Sequence, residues 1–172
     1  MFKKFLKYSL LISIITIVAW YFFPQKKLDT SKPIDKIIVI KHKRKLEVYS
    51  EDELLKTYKI SIGREQIGAK HFEGDDKTPE GIYNINDKNP YSGYHLNLGI
   101  SYPNKKDINF AKQHGKSPGG LIKIHGLKNG LGFIGKFHRW FDWTHGCIAL
   151  TNDEVEELYY NVPIGTVIEI LE

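Results

Sequence analysis

The chain contains a single cysteine, Cys147, among its 172 residues. No disulfide can therefore form within it, and a chain of this length can build a hydrophobic core without one. No cysteine lies near residue 20, which excludes a lipid attached at the end of the apolar leader. A lone cysteine is most often a small buried residue, so any functional interpretation of Cys147 depends on the residues around it.

Most of the sequence also has no net charge of either sign. The formal net charge is +5, and residues 1–27 hold five lysines and no acidic residue. Beyond residue 27 the basic and acidic residues balance. Because a nucleic-acid-binding domain needs a basic surface, no nucleic-acid partner is expected.

The N-terminus carries a long apolar run. A leader rich in lysine precedes uncharged residues from Tyr8 to Phe23, and no small-x-small cleavage motif follows. The sequence Trp20-Tyr21-Phe22-Phe23 is typical of an interfacial aromatic belt. We therefore predict an uncleaved signal anchor over 1–27, a linker over 28–33 and one domain over 34–172 outside the cytoplasm. Lysines flank both ends of the run, so charge supports this orientation only weakly, and later cleavage is the alternative.

Residues 34–172 are dominated by β-branched and alternating segments. A buried strand is predicted over 34–40, with antiparallel partners at 46–49 and 54–62. Further strands are predicted at 82–85, 94–100, 121–124 and 166–170. Asn104 and Thr151 are predicted to cap two short helices. The predicted fold is mainly β with a few short helices, plus one N-terminal membrane helix.

The residues around Cys147 favour nucleophilic chemistry. Gly146 lets the backbone turn sharply before the thiol, and a thiol attacks as its thiolate, which requires a base. His145 is two residues away in a tight turn, whereas His125 ends a different strand and can face the sulfur. We predict Cys147 as nucleophile, His125 as base, a carbonyl near Gly126 as its orienter, and the amides of Gly146 and Cys147 as oxyanion donors.

The pair His125-Gly126 and the run Thr144-His145-Gly146-Cys147, separated by residues 127–143, resemble the L,D-transpeptidase catalytic domain of YkuD type. Residues 78–81, Thr-Pro-Glu-Gly, are similar to that family's upstream Thr-Pro-x-Gly turn. The segments 142–144 and 148–152 bring the chain closest to the YafK-type murein branch. The resemblance covers about Ile34 to the C-terminus and implies a mixed β-sandwich.

The resemblance implies an enzyme of the cell envelope, on the periplasmic side, that acts on peptidoglycan stem peptides. In that family the cysteine attacks the carbonyl of the third residue, a diamino acid, and releases the terminal D-alanine. The acyl group then passes to an amine of another stem, to a wall-attached protein or to water. Transfer and hydrolysis share the acyl-enzyme, so an L,D-amidase or carboxypeptidase is the alternative activity.

By position, Cys147 matches the family's nucleophile and His125 its proton donor and acceptor. Thr144, His145 and Gly146 match the motif around the nucleophile, and Gly126 is expected to contact substrate. The resemblance implies no metal or organic cofactor. The expected partners are stem peptides, a wall-attached protein as acceptor or substrate, and the membrane through residues 1–27.

The chain departs from the family pattern at Ala149, where many members carry asparagine or arginine. A substrate carboxylate would then be held by another cation, and the candidates are Arg139, Lys136 and Arg64.

Two alternatives of other classes stay open. His125, His145 and Cys147 could form an open zinc site, although no fourth ligand has familiar spacing. The aromatic residues of 133–143 could instead belong to a non-catalytic domain that binds the cell wall.

Overall fold

The computed structural model describes residues 2–172 and contains eight strands and three α-helices. The strands are β1 (Lys36–Ile40), β2 (Lys45–Ser50), β3 (Glu53–Lys59), β4 (Gly81–Ser92), β5 (His95–Ile100), β6 (Lys123–His125), β7 (Ile148–Ala149) and β8 (Val167–Leu171). The helices are α1 (Phe2–Phe22), α2 (Lys105–Gln113) and α3 (Asn152–Asn161), and a 3₁₀ segment covers Gly132–Trp140. The strands form one sheet in the order β3-β2-β1-β8-β4-β5-β6-β7.

Alternating apolar residues set the register of the first half of the sheet. Ile37 pairs with Val48 of antiparallel β2 and with Ile168 of parallel β8, and all three are fully buried. Since successive side chains of a strand point to opposite faces, this register brings one apolar face of each strand into the same core. The sheet is mixed, with few helices, as the sequence predicts.

Strand β4 is much longer than the predicted strand over 82–85. Its first four residues pair with β8, and from Ile85 onward it pairs with β5. Residues 86–91 are polar and include Pro90, so they lack the alternation that marks a strand in sequence. Their pairing with β5 is irregular, with register shifts after Ile85 and Asn89. β4 thus joins the two halves of the sheet.

The sheet is closed by contacts between its two ends. Ser61, two residues after β3, exchanges backbone hydrogen bonds with Ala149 of β7 at 3.0 and 2.8 Å. Gly63 forms a further bridge with Thr144. The segment that carries Cys147 is therefore held between β6 and the extension of β3.

The two predicted helix caps are present. Asn104 accepts hydrogen bonds from the amides of Lys106 and Asp107 at the start of α2. Thr151 and Glu154 form a reciprocal capping box at the start of α3. Helix α3 packs against β5 and β6, so it supports the strands that carry the candidate site.

Helix α1 contains a candidate membrane span, Lys3–Phe22, long and apolar enough to cross a bilayer, and none of it is buried in the structure. Only its last turn touches the domain. Leu28, the first residue of the predicted linker, is buried and belongs to the hydrophobic core. Leu28 thus packs on the domain that is predicted over residues 34–172.

Candidate active site

One cavity of about 500 Å³ contains both predicted chemical groups, Cys147 and His125. Its lining also includes Arg64, Asn97, Lys123, Tyr94, Trp143, Thr144 and His145. The cavity lies at the junction of β5, β6 and the turn before β7, where three parts of the chain distant in sequence meet.

The parallel pairing of β6 and β7 brings the thiol and the imidazole to one face. Ile124 pairs with Ile148, and both are fully buried in the core. Side chains alternate along a strand, so His125 and Cys147 share the opposite face. Ala149 pairs with His125, and its small side chain leaves room for the ring.

The imidazole of His125 is oriented by the next residue. Its Nδ1 lies 2.7 Å from the carbonyl oxygen of Gly126. Because a carbonyl only accepts, Nδ1 carries the proton of the neutral ring, and Nε2 keeps a lone pair that can accept one. This carbonyl is the orienter that the sequence analysis predicts.

Gly126 lies outside the lining of this cavity, and its contact with substrate stays a prediction. Its amide donates to the carbonyl of Tyr94 at 3.1 Å, and its carbonyl accepts from His125. A Cβ atom at this position would lie 2.8 Å from Oδ1 of Asn152, at the start of α3. Gly126 thus packs behind His125, where only the absence of a side chain lets α3 approach.

Aromatic rings enclose His125. The ring centroids of Tyr94 and Trp143 lie 4.8 and 5.7 Å from that of His125. Burial lowers the pKa of His125 below its ordinary 6.5, and the charge of Lys123 acts in the same direction, against the hydrogen bond to Gly126. The imidazole is therefore neutral at neutral pH, as a general base must be.

The thiol of Cys147 is half-buried and donates to the carbonyl of Leu121 at 3.6 Å. Burial raises its pKa above the ordinary 9.0, while a hydrogen bond from the Lys123 amide and the charges of Lys123 and Lys70 lower it. The raising effect is the larger. The site at rest therefore holds a thiol beside a neutral imidazole, not a thiolate beside an imidazolium.

Leu121 explains why β6 begins later than predicted. Its φ of 58° lies in the left-handed region, which is uncommon for a residue other than glycine. The strand predicted over 121–124 consequently starts at Lys123. The exposed Leu121 turns its carbonyl toward the thiol, at a conformational cost of about 1 kcal/mol.

The turn before Cys147 is built by Thr144 and Gly146. The Thr144 hydroxyl donates to the Cys147 carbonyl at 2.7 Å and accepts from the Gly146 amide at 3.1 Å. Gly146 has a φ of 117°, and a Cβ atom there would collide with the carbonyl of Lys77. Since the Gly146 amide is used within the turn, its prediction as an oxyanion donor is corrected, whereas the Cys147 amide stays a prediction.

His145 points away from the sulfur. Its side chain is 73% exposed, and its Nδ1 lies 2.6 Å from Oδ1 of Asp76. Within residues 2–172, no group of three or more His, Cys, Asp and Glu side chains is arranged to hold a metal ion. The zinc alternative therefore lacks its set of three ligands, because His145 binds Asp76 instead of joining His125 and Cys147.

Two of the three predicted substrate cations lie elsewhere. Arg139 forms an ion pair with Glu154, and both side chains are nearly buried. Nζ of Lys136 donates to backbone carbonyls at the end of α1. Arg139 and Lys136 do not line the cavity, so its geometry does not support their predicted contact with a substrate carboxylate; Arg64 is the one of the three that lines it.

Lys123 and Asn97 line the cavity and were missed by the sequence analysis. Lys123 lies two residues before His125 on β6, so strand alternation alone would have placed both on one face. Asn97 pairs with His125 from β5 and is almost fully buried. Its Oδ1 is buried and accepts no hydrogen bond from residues 2–172, although the residue lines the cavity.

The buried ion pair of Arg139 and Glu154 predicts that loss of Arg139 lowers stability rather than substrate binding. Arg139→Met should lower the free energy of unfolding by about 3 kcal/mol, because Glu154 is then left buried without a countercharge and keeps only its hydrogen bonds from Thr151. Chemical denaturation measures this change. Arg64→Met is the matched control and should change stability little. The Arg64 side chain is exposed, and its ion pair with Asp76 is long, at 3.7 Å. An Arg139→Met protein with unchanged stability and a raised KM would show that Arg139 binds the substrate carboxylate instead.

The protonation state of the site predicts the pH dependence of thiol alkylation. Iodoacetamide should react slowly with Cys147 at neutral pH and faster as the pH rises past 9.0, because burial keeps the thiol protonated up to there. Lys123→Met should slow the reaction at neutral pH further, since the charge of Lys123 lowers the thiol pKa and its loss raises that pKa. A reaction already maximal at neutral pH would show a thiolate–imidazolium pair instead.

The fold and the motif together define a class. A family model described as the L,D-transpeptidase catalytic domain, YkuD, matches residues 35–170. The chain therefore belongs to the L,D-transpeptidase catalytic-domain family, and the resemblance stated from the His-Gly and Thr-His-Gly-Cys motifs is confirmed.

Two curated relatives are provisionally named as members of this family. YafK of Escherichia coli (strain K12) is 30% identical over 129 residues, which cover 72% of this chain and 45% of YafK. YqjB of Bacillus subtilis (strain 168) is 31% identical over 133 residues, covering 76% of this chain and 67% of YqjB. The chain thus spans less than half the length of YafK.

A similar solved structure is the helical cell shape determining protein Pgp2 from Campylobacter jejuni. It has a TM-score of 0.58 and 26% sequence identity, and the match covers 81% of this chain and 48% of Pgp2.

Proposed function

We propose that the chain is a membrane-anchored peptidoglycan L,D-transpeptidase that uses Cys147 as its nucleophile. The observation that carries the proposal is that Cys147 and His125 share one cavity, with His125 at the end of β6 and Cys147 directly before the parallel strand β7. In addition, the Gly126 carbonyl leaves Nε2 of His125 free to accept a proton. Family membership supports the substrate class, peptidoglycan stem peptides.

In the first half of the reaction, the sulfur of Cys147 attacks the carbonyl carbon of the diamino acid while Nε2 of His125 takes the thiol proton. The Cys147 amide donates to the oxyanion. The C–N bond to the terminal D-alanine then breaks, and His125 gives the proton to the departing amine. A thioester on Cys147 remains. Proton transfer accompanies attack because both groups are neutral at rest.

In the second half, the amine of an acceptor stem attacks the thioester and gives a proton to His125. The C–S bond breaks, an amide crosslink forms, and His125 returns the proton to the sulfur. A wall-attached protein could supply the acceptor amine in the same way. Arg64 and Lys123 are the cations at the cavity that would hold the terminal carboxylate, a role that Ala149 cannot fill.

Helix α1 supports residues 1–27 as the anchor. We place the catalytic domain, residues 34–172, outside the cytoplasm because the proposed substrate, peptidoglycan, lies there. The structural similarity to Pgp2 supports a role in cell wall organisation and cell shape.

Product analysis tests the proposal and separates it from hydrolysis. The purified full chain in detergent is incubated with tetrapeptide muropeptides, and the products are identified by mass spectrometry. We expect crosslinked dimers together with free D-alanine. Trimmed tripeptide monomers alone would replace the transferase by an L,D-carboxypeptidase with the same nucleophile.

A further inference from the structure

The 3₁₀ segment and the last turn of α1 form an aromatic junction. The ring of Phe137 lies 5.6 Å from that of Trp20 and stacks on Tyr21 at 5.2 Å. The hydroxyl of Tyr21 donates to the carbonyl of Phe133 at 2.7 Å. Nζ of the buried Lys136 donates to the carbonyls of Trp20 and Phe23 at 3.2 and 2.5 Å. The last carbonyls of a helix lack partners within it, so Lys136 caps the end of α1.

Gly135 makes this junction possible. Its φ of 49° and ψ of −130° interrupt the 3₁₀ segment, and a Cβ atom there would lie 2.8 Å from the Tyr21 hydroxyl. Any larger residue would therefore be strained and would push Tyr21 away. The close approach of α1 to the domain depends on this one position.

The same segment and the residue that follows it, Phe141, expose large apolar side chains. Phe133, Trp140 and Phe141 are 74%, 64% and 66% exposed, although they lie within nine residues of one another. Single exposed apolar residues are ordinary, but a cluster of large ones marks an interaction surface. The adjoining helix indicates the partner. Apart from its last turn, α1 exposes its apolar side chains all round, and its 20-residue span matches the roughly 30 Å hydrocarbon core of a bilayer.

We propose that the 3₁₀ segment docks the catalytic domain on the bilayer that α1 crosses, with Phe133, Trp140 and Phe141 in the interfacial layer. Trp20 and Tyr21 stand at the end of the span, where aromatic residues lie at the depth of the headgroups. Since Phe137 packs on both, the 3₁₀ segment lies at that depth too. The docking rests on the proposed function, in which α1 is the membrane anchor. An anchor alone would only keep the domain near the membrane, whereas docking fixes which face of the domain contacts it.

Docking would also place the active site near the lipid surface. An apolar cavity of about 280 Å³ lies between the exposed Phe141 and the aromatic residues Tyr94 and Trp143. These two rings enclose His125 and also line the cavity of Cys147. The catalytic cavity is thus only one layer of side chains away from the docking surface.

Fluorescent probes measure the docking directly. In full-length protein carrying Cys147→Ala, a single cysteine placed by Phe133→Cys or Phe141→Cys is labelled with a polarity-sensitive dye. The protein is inserted into phosphatidylethanolamine–phosphatidylglycerol vesicles, with and without nitroxide-labelled lipid. We expect blue-shifted emission and severalfold stronger quenching at both positions than for Tyr160→Cys, a matched exposed aromatic on α3. Equal quenching at all three positions would overturn the docking.

Flotation and a pair of glycine variants separate the possible failures. If the protein floats with the vesicles while its probes stay in water, the anchor proposal stands and the docking proposal is wrong. If the protein does not float, both proposals are wrong. Gly135→Ala should weaken quenching at position 141 in inserted protein. Gly130→Ala is the control, because its φ is also positive but no atom lies within 4 Å of its Cβ position. Equal effects of the two variants would contradict the junction. Because Cys147 is absent throughout, these results do not depend on the proposed chemistry.

Discussion

Cys147→Ala should abolish the release of D-alanine and the formation of crosslinked dimers, while the domain remains folded. Cys147 is the only thiol in the chain, and both halves of the proposed reaction pass through its thioester. Loss of a nucleophile reduces turnover by at least about 10⁴-fold in enzymes of this kind. The thiol is half-buried and only one sulfur atom is removed, so the free energy of unfolding should change by about 1 kcal/mol.

Three measurements check this prediction on the same protein: D-alanine release, the intact mass after incubation with a carbapenem, and thermal unfolding. The wild type should gain the mass of one carbapenem, and Cys147→Ala should gain none. Turnover near that of the wild type in this variant would end the nucleophile hypothesis.

His125→Gln should reduce turnover by roughly 10²- to 10⁴-fold, the usual contribution of a general base. Glutamine can still donate to the Gly126 carbonyl and fill the space between Tyr94 and Trp143, so the domain should fold. It cannot take the proton of Cys147. The remaining activity should rise with pH, because hydroxide then generates the thiolate that the imidazole no longer provides.

His145→Gln is the matched control. This histidine is closer to Cys147 in sequence, but its side chain is exposed and bound to Asp76. We expect turnover within a few-fold of the wild type and an unchanged pH profile. If His145→Gln lost as much activity as His125→Gln, the assignment of the base would be wrong.

The pH profile of the wild type follows from the same two groups. Protonation of His125 removes the base, and burial lowers its pKa below 6.5, so kcat/KM should fall only when the pH drops below that value. At mildly acidic pH the enzyme should therefore keep most of its activity. An acid limb centred above 6.5 would show that the imidazole is more exposed to solvent or closer to a negative charge than in the structure.

The parts of the fold that were predictable have local signals. The capping residues Asn104 and Thr151 and the alternation of β1 and β2 depend on neighbours in sequence, and the structure confirms them. The length of β4 does not depend on neighbours in sequence, because the second part of this strand is held by pairing with β5 and lacks apolar alternation. Closure of the sheet through Ser61 and Ala149 joins residues far apart in sequence and leaves no local pattern.

The site shows the same division. Cys147 and His125 stand in a motif with fixed spacing, and the steric argument that His145 faces away agrees with its contact to Asp76. The ion pair of Arg139 could not be predicted, because its partner Glu154 lies on α3 and a buried ion pair has no signature in sequence. The position of Lys123 at the site could have been predicted, since strand alternation places it on the face of β6 that carries His125.

Detection of the thioester tests the central claim most directly. Wild-type protein is mixed with a tetrapeptide stem without acceptor, quenched in acid during turnover, digested and analysed by mass spectrometry. We predict a tripeptide acyl group on the peptide that contains Cys147, with at least one D-alanine released for each group attached. Turnover without an adduct at Cys147, or an adduct on another residue, would contradict the account.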